Sequence, residues 1–143
     1  MEYYSAIVGS VALILSFANF WRDRSRIKIT SSLFEGSECN PEPSIHVVVI
    51  NKGRRPVILR MLGGTAADGT WSGELLQSDK GGIRLEENGR WEHSVLKQGT
   101  IAFVPDGTDI FYDSMWIEDS IGKRYAIPYS LQHIEQLRGW SRD

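Results

Sequence analysis

The chain has 143 residues, 41% of them hydrophobic, which is enough for one folded domain and too apolar for a disordered protein. Sixteen Lys and Arg residues against 18 Asp and Glu give a formal net charge of −2, which argues against a dedicated nucleic-acid-binding protein. The single cysteine, Cys39, excludes an internal disulfide and a zinc site built from cysteines.

The N-terminal segment Tyr3–Trp21 has no charged side chain. As a helix it would be about 28 Å long, close to the ~30 Å hydrocarbon core of a bilayer. Aromatic residues at both ends suit the membrane interface. We therefore predict a transmembrane anchor helix over residues 1–21. Two alternatives stay open: a cleaved signal peptide, with Ser16-Phe17-Ala18 as the cleavage site, and a buried core helix.

A basic juxtamembrane linker, residues 22–28, follows the apolar segment and runs into the first predicted strand. Because positive charge collects on the cytoplasmic side of a membrane, we expect the N-terminus outside and the C-terminal domain in the cytoplasm. A reducing cytoplasm also suits the lone Cys39. The basic residues of the linker are Arg22, Arg24, Arg26 and Lys28.

Small or polar side chains recur every three or four residues along the apolar segment, which places them on one helix face. Such a stripe lets two helix backbones approach, and an asparagine can hydrogen-bond across the contact. The pattern predicts a homo-oligomer formed through this helix, with chance alignment of common small residues as the alternative. The stripe, called the seam below, consists of Ser5, Gly9, Ala12, Ser16 and Asn19.

Residues 26–143 have the pattern of an all-β domain. Apolar residues alternate with period two, and turn residues recur at intervals of roughly 8–12 residues, as in an antiparallel sandwich. Asn51–Arg54 is predicted to be a tight turn that pairs the flanking strands, and Asn88-Gly89 favours a two-residue hairpin. Strands are predicted at 26–30, 44–50, 56–61, 70–76, 82–85, 90–96, 100–104, 110–117 and 123–127.

One short helix is predicted near the C-terminus, at about residues 130–138. Ser130 is placed to cap it and Gly139 to end it. Leu131, Ile134 and Leu137 share one stripe, so we expect the helix to pack on the edge or end of the sandwich, with Trp140 packing beside it.

Two segments carry a resemblance to a known class of protein. Val47–Val57 and Glu118–Tyr125 resemble hairpins of uncharacterised bacterial and phage single-pass membrane proteins, in which a hydrophobic helix and basic residues precede a small immunoglobulin-like β-sandwich. The resemblance implies an antiparallel immunoglobulin-like β-sandwich of about seven to nine strands. It implies no known activity.

The sequence lacks the residue spacings of the common catalytic and metal sites. His46, His93 and His133 have no metal-ligand spacing, and no nucleophile elbow or phosphate-binding glycine loop is present. We therefore predict no catalytic residue, no metal and no cofactor; an unrecognised enzyme site would most simply join His93 to Asp113. A group of acids close in sequence is a weaker candidate for a calcium site, because Asp113 lies in a predicted strand and the pairs Asp106-Gly107 and Asp119-Ser120 are typical of turns. The group consists of Asp106, Asp109, Asp113, Glu118 and Asp119.

The predicted function is a non-enzymatic, membrane-anchored protein-interaction module: an accessory, immunity or exclusion factor of a bacterial or phage membrane system. Its partners would be the lipid bilayer and a protein, with no nucleic acid.

Arg54 and Arg55 are the predicted binding residues, because two arginines at a turn can clamp a carboxylate, a phosphate or anionic lipid. Alternatively they donate to loop carbonyls and stiffen the turn. The long polar loop Glu35–Pro43 is a further candidate surface. A self-assembling scaffold and an enzyme with an unrecognised site are the alternative functions.

Overall fold

The computed structural model of the chain describes residues 2–23, 26–36, 38–39, 43–96, 102–103 and 110–138. It begins with one long helix, α1, at Glu2–Arg22. Residues Tyr3–Arg22 of this helix are long and apolar enough to cross a membrane, and none of the span is buried against the rest of the chain. A core helix buries its apolar face, so the core-helix alternative does not fit. A signal sequence has the same length and composition, and that alternative stays open.

The described chain after α1 is mostly antiparallel β-structure, as predicted, and ends in a short helix. Three strands form sheet A in the order β1-β2-β6, and sheet B has the order β10-β9-β3-β4, with β5 also paired to β3. Two very short strands, β7 and β8, form a separate ribbon. The elements are β1 Ile27–Phe34, β2 Ser44–Asn51, β3 Val57–Thr65, β4 Trp71–Leu75, β5 Ile83–Leu85, β6 Arg90–Leu96, β7 Ala102–Phe103, β8 Ile110–Phe111, β9 Ser114–Asp119, β10 Arg124–Ala126 and α2 Ser130–Arg138.

The two sheets and α2 share one hydrophobic core. Sheet A contributes Val47 and Val49, sheet B contributes Leu59 and Ile117, and all four side chains are fully buried. Each such aliphatic side chain contributes about 1.5–3 kcal/mol by leaving water. The predicted stripe of α2 is buried at two of its three positions: Ile134 and Leu137 lie in the core, whereas Leu131 is 47% exposed.

The predicted hairpin between β2 and β3 is wrong. β2 pairs with β1 and β6, whereas β3 pairs with β9, β4 and β5, so the connection crosses from sheet A to sheet B. The Asn88-Gly89 turn also crosses between the sheets, since it joins β5 to β6. Turn residues marked where strands end, but they did not determine which strands pair. The hairpin within Glu118–Tyr125 is confirmed by the pairing of β9 with β10.

The predicted strand at 110–117 is interrupted. Tyr112, at 6% exposure, lies between β8 and β9 and packs over the backbone of Gly64, where a Cβ atom would lie 2.3 Å from the tyrosine ring. The break between β8 and β9 thus coincides with the position at which the Tyr112 ring is buried.

The short helix α2 is fixed to both sheets by hydroxyl groups. The Ser130 hydroxyl accepts a 3.2 Å hydrogen bond from the Met115 N–H, so it ties the helix to β9 instead of capping it as predicted. The Ser31 hydroxyl of β1 donates to the Pro128 carbonyl and lies 3.2 Å from His133 Nδ1. Burial lowers the pKa of His133 below its usual value. Trp140 lies outside the described residues.

Candidate functional site

The antiparallel topology gathers three chain segments at the end of the domain next to α1. Four residues separate α1 from β1, and β2 runs back so that Asn51 pairs with Ile27. The Lys52 N–H donates a 2.6 Å hydrogen bond to the Arg26 carbonyl, and the Asn51 N–H donates to Gly89 at 3.0 Å. The β2–β3 turn therefore lies beside the residues that follow α1, a position that the sequence did not reveal.

Asn51 holds the β2–β3 turn in one conformation. Its side chain has no exposed surface. Its amide Nδ2 donates to the carbonyls of Arg55 at 2.8 Å and Leu85 at 3.0 Å, and its Oδ1 accepts from the Gly53 N–H at 2.9 Å. A buried amide with three satisfied hydrogen bonds fixes the local backbone.

The side chains of Arg54 and Arg55 are exposed and play no part in stiffening the turn. Over the part of the chain that the structure describes, neither guanidinium makes a hydrogen bond or an ion pair. Asn51 performs the stiffening role that the sequence analysis gave to the arginines as the alternative. The two predicted binding residues are thus presented to solvent on a preorganised turn.

A small cavity of about 270 Å³ lies where α1 meets the domain. We call it the basic pocket. The Arg26 guanidinium carbon lies 5.5 Å from the centre of the Trp21 ring, a cation–π distance. Of the two predicted binding residues, Arg54 lines the cavity and Arg55 does not. The lining residues are Trp21, Arg22, Arg26, Lys52, Arg54 and Glu87.

The basic pocket carries uncompensated positive charge. Among the described lining residues, four side chains are cationic and one, Glu87, is anionic. Among the described residues, no carboxylate oxygen lies within 4.0 Å of any of the four cations. The sequence indicated the linker cations and the turn cations separately, and only the strand register brings them together. Arg24 lies outside the described residues.

The seam residues all lie on α1 and are exposed. A Cβ atom at Gly9 would meet no atom within 4 Å, so this position is open for contact with another helix. The predicted binding loop Glu35–Pro43 is described only at residues 35–36, 38–39 and 43.

The sequence analysis missed an aromatic cluster on the outer face of sheet B. The Arg124 guanidinium lies 3.9 Å from the centre of the Trp116 ring and 4.6 Å from that of Trp71. Trp71 is 51% exposed, whereas Trp116 is buried and donates a 3.0 Å hydrogen bond to Thr65 Oγ1. Trp116 lies over Gly63, where a Cβ atom would come within 2.6 Å of the indole ring. No short motif joins these residues, because three separate strands supply them.

Among the described residues, no direct contact is seen between the two residues of the alternative enzyme site, His93 and Asp113. His93 stacks on Trp91 with 5.4 Å between ring centres, and in the described chain no hydrogen bond or ion pair joins it to Asp113. His46 lies on the outer face of sheet A, with Nδ1 3.4 Å from Ser94 Oγ and Nε2 3.9 Å from Glu92. The contact between His46 and Ser94 is longer than the about 2.6–3.2 Å that joins an activated serine to its base.

Of the acidic residues weighed as a calcium site, Asp119 stabilises the β9–β10 turn. Asp119 is buried and accepts hydrogen bonds from the Ile121 and Lys123 N–H groups and from the Tyr125 hydroxyl. Burial, together with the Asp119 charge, raises the pKa of Tyr125 to about 12. Asp106 and Asp109 lie outside the described residues. Within the described chain no group of three or more His, Cys, Asp or Glu side chains could hold a metal ion.

Comparison with known proteins adds little to this geometry. No protein-family model and no curated protein matches the chain. A solved structure titled "X-ray structure of Northeast Structural Genomics Consortium target SoR45" aligns over 74% of this chain and 82% of its own, with 14% identity and a TM-score of 0.31. At that TM-score the likeness carries no conclusion about fold or function.

Proposed function

We propose that the protein is a single-pass, membrane-anchored interaction module without enzymatic activity. In this proposal α1 crosses the bilayer and the β-domain, an immunoglobulin-like sandwich, lies at the cytoplasmic surface. The observation that carries it is the wholly exposed apolar face of α1, which leads within four residues into β1. An apolar helix of this length that is exposed to solvent is costly in water and favourable in lipid.

The orientation rests on the distribution of charge around the helix. Arg22 and Arg26 follow the apolar span, and the fold adds Lys52 and Arg54 to the same end of the domain. The positive charge on this side of the span is therefore larger than the linker alone provides. Cationic residues beside a span favour the cytoplasmic side.

A protein partner with an acidic surface suits the Arg54-Arg55 turn. Arginines on a preorganised turn bind carboxylates with little loss of conformational entropy. The short linker keeps the domain close to the membrane, which raises its effective concentration towards other membrane-bound proteins. An accessory subunit, immunity factor or exclusion factor of a bacterial or phage membrane system would work in this way.

Alkaline extraction and protease accessibility test the anchor and its orientation. We expect the full chain to stay in the membrane pellet after carbonate treatment, and its domain to resist protease added to intact spheroplasts. Digestion without permeabilisation would overturn the cytoplasmic orientation. A mature chain that starts at Asn19 would identify a cleaved signal peptide and overturn the anchor.

The exposed seam favours a second candidate, a self-assembling scaffold. Its five residues are exposed on α1, and Gly9 leaves open space for a second helix. Crosslinking in detergent separates the two functions. A ladder of the chain alone supports the scaffold, whereas a crosslink to a different protein that disappears with Arg54→Glu and Arg55→Glu supports the interaction module.

A further inference from the structure

We propose that the basic pocket binds the phosphate headgroup of an anionic phospholipid. The proposal rests on the anchored orientation above and assigns a ligand to the site beneath the domain. It gives the two arginines of the turn different tasks. Arg54 faces the lipid from the pocket wall, and Arg55, outside the pocket, stays available to a protein.

The first argument is charge. The described lining residues bring four cations to one cavity, Arg22, Arg26, Lys52 and Arg54, against one carboxylate, that of Glu87. In the described structure none of the four cations has an ion-pair partner. Like charges gathered without counter-charges repel one another, and a bound phosphate anion relieves that repulsion.

The second argument is position. Trp21, in the last turn of α1, lines the pocket, and tryptophan prefers the level of the headgroups in a bilayer. With Trp21 at that level, the pocket opens at the height of the lipid phosphates. The cytoplasmic leaflet is also the anionic one.

The third argument is size and rigidity. The cavity of about 270 Å³ has room for a phosphate headgroup. Asn51 fixes the turn that carries Lys52 and Arg54, and the Lys52 N–H is bonded to the Arg26 carbonyl. Three of the four cations are thus held on one hydrogen-bonded frame.

Native mass spectrometry of the full chain tests the proposal. The chain is reconstituted in nanodiscs of equimolar phosphatidylglycerol and phosphatidylcholine and then released in detergent. We expect bound phosphatidylglycerol in preference to phosphatidylcholine. The variant Arg26→Gln/Lys52→Gln/Arg54→Gln should lose this preference by on the order of 100-fold, since each cation near an anionic surface contributes a factor of roughly five.

A matched control removes three exposed cations elsewhere: Arg60→Gln/Lys80→Gln/Arg84→Gln. It should keep the preference for phosphatidylglycerol. Equal retention of the two lipids by the natural chain, or equal loss in both triple variants, would overturn the proposal. Displacement of phosphatidylglycerol by millimolar inorganic phosphate would also overturn it, because the site would then serve a soluble anion.

Single variants and retention of the chain in the discs distinguish failure of the basic pocket from unfolding and from failure of the anchor. If the pocket variant unfolds, the single variants Lys52→Gln and Arg54→Gln are measured in the same way and should each lower the preference about fivefold. A chain that stays in the discs without lipid preference overturns the pocket alone. A chain that never enters the discs overturns the anchor and the pocket together.

Discussion

The side-chain amide of Asn51 donates a 2.8 Å hydrogen bond to the backbone carbonyl of Arg55, four residues further along the chain. This bond closes the β2–β3 turn from inside the domain and leaves both arginine side chains outside it. Different residues of one turn thereby provide stability and recognition. A buried neutral amide holds the backbone, and exposed cations face the surroundings.

Substitution of Asn51 tests this separation. Asn51→Ala removes the acceptor of the Gly53 N–H and the donor to the carbonyls of Arg55 and Leu85. Unpaired buried polar groups are costly, so we expect the free energy of unfolding to fall by about 2–4 kcal/mol, measured by urea denaturation. Asn51→Asp keeps the acceptor and loses the donor, and should also be destabilised. An unchanged denaturation midpoint in both variants would contradict the assigned role.

The fold could be predicted from the sequence wherever the signal is local. Period-two alternation located β6 at its observed bounds, and helical spacing with its flanking residues located α2. Strand pairing is not local. The connection from β2 to β3 crosses between sheets because each sheet contributes its inner face to one core. The turn residues Asn51 to Gly53 are compatible both with a hairpin and with a crossing between sheets.

The candidate site could be predicted only in part for the same reason. Arg54 stood out as one of two adjacent cations in a turn. Its proximity to Trp21 and Arg26 depends on the register Ile27↔Asn51, which no short sequence window contains. The cluster of Trp71, Trp116 and Arg124 depends likewise on pairings that span separate strands.

His133 makes stability depend on pH. Burial lowers its pKa in the folded state below the usual 6.5, so the unfolded chain binds more protons below that pH. The corresponding stability is present above pH 6.5 and is lost as the pH falls through the folded-state pKa. We expect a lower urea midpoint at about pH 5.5 than at about pH 7.5. His133→Gln should reduce the difference, whereas His46→Gln should retain it; equal pH dependence in all three proteins would contradict the role.

The seam should govern self-association of α1. Gly9→Leu/Ala12→Leu adds bulk where two helix backbones would approach, so we expect dimerisation in vesicles to weaken by about 1 kcal/mol or more. Energy transfer between labelled chains measures it. Ser10→Leu/Ala18→Leu places two leucines on the opposite face and serves as the control. An identical response of the two variants would show that the seam is not the contact.

Charge reversal of the turn should abolish capture of a protein partner without unfolding the domain. Arg54→Glu/Arg55→Glu alters two exposed side chains that make no hydrogen bond or ion pair within the described chain. We therefore expect the free energy of unfolding to change by less than about 1 kcal/mol. Quantitative co-purification from solubilised membranes measures capture, with Arg60→Glu/Lys80→Glu as a control of equal charge change.

Of the single variants, Arg55→Glu should cause most of the loss, because Arg54 lines the basic pocket and Arg55 does not. If the double variant unfolds while capture by the remaining folded protein persists, the arginines stabilise the turn and do not form the binding surface.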